Sequence, residues 1–191
     1  MKYYFIKTVL IPILVILVSS ANAQLLPPGV ALRVVIIRHG EKPASGGNLS
    51  CAGLNRALKL PAVLDTITGK PDYTYIPTIS IGKKTSSVRM FQTVTPFAVA
   101  QNLTLNSKYA ETDTKKAAAA VLKKRGIVLM VWEHSNIPPL ASALGAPGKL
   151  SWSGSDFDSI WILDFKASKT SVKFLKLTVE QENIVPAAGC L

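Results

Sequence analysis

The run Ala31-Leu32-Arg33-Val34-Val35-Ile36-Ile37-Arg38-His39-Gly40-Glu41 changes character within two residues. From Ala31 to Ile37 it is apolar, broken only by Arg33, and rich in valine and isoleucine. That composition suits a strand covered on both faces, as in the interior of a parallel sheet. It then turns polar at Arg38-His39. A second run does the same: Ile127 to Trp132 is apolar and is followed at once by Glu133-His134-Ser135-Asn136. The chain has only two histidines, and each directly follows one of these strands. In a parallel sheet the carboxyl ends of the strands share one edge, and ligands bind there. Two parallel neighbours would bring His39 and His134 to one place.

The remaining pattern sets the fold class. Helices are expected over Leu54–Ile67, Ser86–Ala100, Lys115–Lys124 and Pro138–Leu144, with Pro96 bending or ending the second and Pro138 or Pro139 in the first turn of the fourth. Tyr73–Ile81 reads as a further strand, and Ser159–Phe165 and Val172–Val179 as two closing strands. Strands alternating with helices give an α/β fold whose sheet is mostly parallel and flanked by helices. The last two strands follow each other closely enough to form an antiparallel edge. No internal repeat or low-complexity tract interrupts this order.

The chemistry of the two strand ends suits a phosphoryl group. An arginine offers a rigid fork of donors that matches phosphate oxygens. A neutral imidazole can attack phosphorus, and a second, protonated one can stabilise charge on the group in transit. Gly40 would let the backbone turn sharply or approach a ligand closely.

Val35-Ile36-Ile37-Arg38-His39-Gly40-Glu41 resembles the signature of the histidine phosphatase superfamily, whose fold is called phosphoglycerate mutase-like. Leu49-Ser50, Gly53-Leu54 and Arg56-Ala57 are similar to the start of that family's first helix. Ser87-Val88-Arg89 with Gln92-Thr93 resembles the segment of its second arginine. Trp132 to Pro138 resembles the segment of its second histidine. The motifs run in the family's order across most of residues 31–191. The resemblance implies that His39 is a nucleophile that becomes phosphohistidine, that Arg38, Arg89 and His134 surround the phosphoryl oxygens, and that no metal or other cofactor is needed. It also implies an acid that protonates the leaving alcohol. Glu111 is the nearest match, with Asp113 and Glu133 as alternatives. Ser135 stands where the phytase-like branch has an aspartate, and the loop asparagine, Asn48, comes later than usual.

Residues 1–23 have the order of a secretion signal: Lys2 and Lys7, an apolar core from Val9 to Val18, then Ser19-Ser20-Ala21-Asn22-Ala23. That core is shorter than the ~20 residues a membrane span needs. Residues 24–30 read as a linker, and residues 31–191 as one phosphatase-like domain in the periplasm or outside the cell, with no stable membrane insertion. Loss of the two signal lysines takes the formal charge from +11 to +9. Such a surface favours an anionic phosphorylated small molecule or an envelope glycolipid. Five arginines without interleaved aromatics argue against nucleic acid. Cys51 and Cys190, the only cysteines, suit a disulfide in an exported chain. Two other readings fit the same residues: a metal-dependent hydrolase using His39, Glu41, Glu133 and His134, and a basic anion-binding module without turnover.

Overall fold

The computed structural model describes residues 26–80 and 86–190, and the expected signal at 1–23, the start of the linker and Ile81 lie outside them. The chain order is β1 (Leu32–Arg38), α1 (Cys51–Thr68), β2 (Tyr73–Tyr75), α2 (Val88–Gln101), β3 (Leu105–Asn106), α3 (Thr114–Val121), β4 (Gly126–Trp132), α4 (Ile137–Ala143), β5 (Ser159–Ala167) and β6 (Val172–Gln181). The six strands form one sheet in the order β3-β2-β4-β1-β5-β6. β1, β2, β3 and β4 are parallel, and β5 and β6 form the antiparallel side. This is the α/β arrangement expected from the sequence.

β1 explains why its sequence is apolar throughout. Successive side chains point to opposite faces of a sheet. Leu32, Val34 and Ile36 join the layer that contains Ala117 and Val121 of α3 and Leu140 of α4. Val35 and Ile37 join the layer that contains Leu60 and Leu64 of α1 and Val94 and Phe97 of α2. Arg33, the single polar interruption, sits opposite Asp164 of β5 and binds it through two hydrogen bonds of 2.8 and 3.0 Å.

Register places the site. β1 and β4 run side by side from Leu32 opposite Gly126 to Arg38 opposite Trp132. Both strands therefore stop at the same level, and His39 emerges beside Glu133 and His134. The His39 amide still donates to the Trp132 carbonyl, at 3.3 Å.

Several boundaries differ from expectation. β2 ends at Tyr75, because Pro77 brings no N–H to a ladder. β3 is two residues long, too short to show alternation in a sequence. α1 begins three residues earlier than expected, where Ser50 accepts from the Gly53 amide as an N-cap. α3 starts one residue early and stops at Val121. Pro96 lies inside α2 without ending it. Gly40 serves helix packing. It does not sit at positive φ. A Cβ there would lie 2.8 Å from the Gly53 carbonyl, and one at Gly53 would lie 2.3 Å from the Glu41 carbonyl. The two glycines let the first turn of α1 press against the loop that follows β1.

The C-terminal segment is bound to α1. Cys51 and Cys190 form a disulfide with a Cα separation of 4.6 Å. One helical turn on, Asn55 donates to the carbonyls of Ala187 and Gly189, and Lys59 donates to that of Val185. Positions 51, 55 and 59 share one helix face.

Candidate functional site

His39 is 3% exposed. Its Nδ1 lies 2.7 Å from the Gly40 carbonyl, which can only accept, so Nδ1 carries the proton and Nε2 keeps a free lone pair. Burial lowers its pKa to about 4, and the charges of Arg38 and Arg89 act in the same direction. The ring is therefore neutral near pH 7, the state a nucleophile requires.

Arg38, at the end of β1, is 2% exposed. Its Nη1 donates to the carbonyls of Ser153, Gly154 and Asp156 at 3.4, 3.0 and 2.6 Å. The Phe157 ring lies against the guanidinium, 3.7 Å from carbon to centroid, and stands edge-on to His39 at 6.3 Å. Among the described residues, Nε and Nη2 have no hydrogen-bond partner. Burial lowers the Arg38 pKa to about 10, which still leaves it charged near neutrality. One corner of the fork is fixed by protein, and the other two nitrogens are buried without a partner among the described residues.

α2 builds the opposite wall. Arg89 donates to the carbonyls of Asn48 and Gly46 at 3.0 and 2.5 Å. Gln92 accepts from the Leu49 amide and donates to the Asn48 side chain. Thr93 accepts from the Gly40 amide at 2.9 Å. The residues resembling the family's second-arginine segment thus hold both loops that border His39. A cavity of about 300 Å³ opens between them, bounded by His39, Gly47, Arg89, Glu111 and Glu133.

Glu111 and Glu133 both face this cavity, whereas Asp113 does not border it. Asp113 pairs with Lys116 in the first turn of α3. Glu111 accepts from the Ser87 hydroxyl at 3.1 Å, and its carbonyl accepts from the Trp132 indole at 2.8 Å. Glu133 follows the last residue of β4, so strand alternation does not turn it away from the site. Its Oε2 accepts from the Ser135 amide and hydroxyl and from Asn136. Burial pushes the Glu133 carboxyl up, but the Ser135 and His134 contacts outweigh it and hold the group below the ordinary carboxylate range. His134 Nδ1 lies 2.5 Å from Glu133 Oε1, off the line of a good hydrogen bond. Burial, aided by Arg38, holds the His134 pKa below its usual value.

His39, Glu133 and His134 each offer a ligand atom, all within 4.8 Å of one another. Glu41, the fourth residue of the metal-hydrolase reading, is not part of this group. Arg56 binds both of its carboxylate oxygens, and also reaches Glu182 at 2.6 Å. The sequence reading missed this buried network and the Ser153–Phe157 loop around Arg38. Arg56 stands out in the sequence only within the helix-start motif, which does not reveal its carboxylate partners. Asp156-Phe157-Asp158 is a short segment ahead of β5 whose sequence carries no motif.

No family model and no curated protein matches the sequence. Solved structures do match. A mycobacterial glucosyl-3-phosphoglycerate phosphatase in complex with inorganic phosphate is similar at 14% identity and TM-score 0.54, over 78% of this chain and 95% of that one. The protein histidine phosphatase SixA complexed with tungstate is similar at 15% identity and TM-score 0.54, over 76% and 95%. A protein titled mycobacterial hydrolase 2 is similar at 13% identity and TM-score 0.54, over 85% and 93%. The chain shares the fold of these structures, a phosphoglycerate mutase-like fold.

Proposed function

We propose that this chain is an exported phosphomonoesterase that works through a phosphohistidine on His39. The observation that carries the reading is a neutral, buried imidazole beside an arginine with two unmatched buried donors. Substrate phosphate meets Nε and Nη2 of Arg38, with Arg89 and His134 completing the ring of donors around its oxygens. His39 Nε2 attacks phosphorus, the ester P–O bond breaks, and Glu111 gives its proton to the leaving alcohol. Water then attacks the phosphohistidine, Glu111 takes a proton back, and inorganic phosphate departs. Glu133, held as the anion by Ser135 and Asn136, suits the protonation of His134 when a phosphate dianion arrives. No step in this scheme uses a metal or other cofactor, since positioning and charge stabilisation dominate phosphoryl transfer.

The fold supports this reading, because solved structures of the same fold include phosphatases, and two hold an oxyanion. The substrate class is an anionic phosphorylated small molecule or an envelope glycolipid, in keeping with the +9 charge left after the signal. The secretion-signal order of residues 1–23 supports a periplasmic or extracellular location. Phosphate release from a broad panel of phosphomonoesters, in chelator, compares wild type with His39→Ala. Release that disappears with His39 supports the scheme. Tight phosphate binding without release from any ester would replace it with an anion-binding module.

A further inference from the structure

We propose that His39, Glu133 and His134 form an inhibitory site for a divalent transition-metal ion of the zinc type, in which the metal takes the lone pair that attacks phosphorus. The proposal rests on the phosphatase reading for the word inhibitory, and on geometry for the site itself.

Two imidazoles and a carboxylate are a ligand set that zinc accepts, with a fourth position left open. Ligand atoms around tetrahedral zinc stand about 3.3 Å apart, given Zn–N bonds of roughly 2.0–2.1 Å. The three atoms here already lie within 4.8 Å of one another without a metal present. Glu133 and His134 are part-exposed and can close the difference, while His39 is fixed.

Two of the three ligands also have the support that metal ligands need. A ligating histidine almost always donates its other ring N–H to a carbonyl or carboxylate. His39 Nδ1 does so to Gly40, which leaves Nε2 as the ring nitrogen with a free lone pair for a ligand. A ligating carboxylate is itself hydrogen-bonded. Glu133 Oε2 is taken by Ser135 and Asn136, which leaves Oε1 beside His134. Arg38 is the opposing charge. Its Nη1 is tied to three carbonyls on the far loop.

Exclusion follows from the atoms. Nε2 has one lone pair. A Zn–N bond uses it, and so does a P–N bond. Metal and phosphoryl group cannot occupy His39 together, so zinc stops turnover and a chelator restores it.

Cobalt(II) is the probe, because a tetrahedral site with histidine ligands gives visible absorption bands that do not depend on activity. Titration of wild type should give these bands with a one-to-one end point. His134→Ala and Glu133→Gln should each weaken binding at least about tenfold, with the fold checked by circular dichroism. Tungstate, which mimics the phosphoryl group, should abolish the bands. Zinc should stop phosphate release by wild type, and a chelator should restore it. Absence of bands, bands unchanged in both variants, bands that persist in tungstate, or activation by zinc would each overturn the proposal. If wild type releases no phosphate at all, the phosphatase reading and the word inhibitory fall, while the cobalt bands still decide the metal site.

Discussion

Arg38 and Arg56 are both buried, at 2% and 6% exposure, and the molecule treats them in opposite ways. Arg56, on α1, has its Nε and Nη2 on Glu41 and its Nη1 on Glu182. Its charge is answered by carboxylates, and it joins the loop after β1 to the end of β6. Arg38 has three neutral carbonyls on Nη1, an aromatic ring on its face, and nothing on Nε or Nη2 among the described residues. A buried donor left without a partner costs about 1–3 kcal/mol. A fold keeps such a cost where a ligand removes it. Under the proposed function, the difference is that between a structural arginine and a binding one.

The largest expected effect belongs to Arg38. Arg38→Ala should lower phosphate release by about 10³–10⁵-fold, the range an arginine contributes to phosphoryl transfer. Its urea midpoint should fall less than that of Arg56→Ala, because the truncation leaves neutral carbonyls and not carboxylates without a partner. A large loss of stability would erase the contrast. Arg56→Ala should show the reverse pattern. It leaves Glu41 and Glu182 unpaired, at a cost of about 3–5 kcal/mol in urea denaturation. Removing the disulfide with Cys51→Ser and Cys190→Ser tests the same side of the comparison. The tail beside Arg56 should loosen, with stability falling by roughly 2–5 kcal/mol. Phe157→Leu sharpens the Arg38 side. It removes the ring from the guanidinium but leaves the three carbonyls, so tungstate affinity by calorimetry should fall by about 0.5–2 kcal/mol. Unchanged affinity would make Phe157 packing alone.

The layer structure was legible because β1 and β4 are buried on both faces and so lack polar alternation. The meeting of His39 with His134 was legible because each ends such a strand. The role of Arg56 was not legible, since its partners stand 15 and 126 positions away in sequence. The Arg38 clamp was hidden for a related reason. Backbone carbonyls do the binding, and side-chain identity does not reveal where carbonyls point. Glu133 could serve only if the strand ended before it, a boundary that an unbroken apolar run does not mark and that β4 sets at Trp132. Asp113 and Glu111 looked nearly equivalent in sequence, and only the start of α3 separates them.

In the proposed reaction phosphorus passes through His39. Wild type mixed with a rapidly turned-over phosphomonoester and quenched in alkali should carry one phosphoryl group on His39 by peptide mass spectrometry. That adduct should be lost in acid and absent from His39→Ala, which should release no phosphate. Phosphate release by His39→Ala at the wild-type rate, or an adduct on a different residue, would contradict the account.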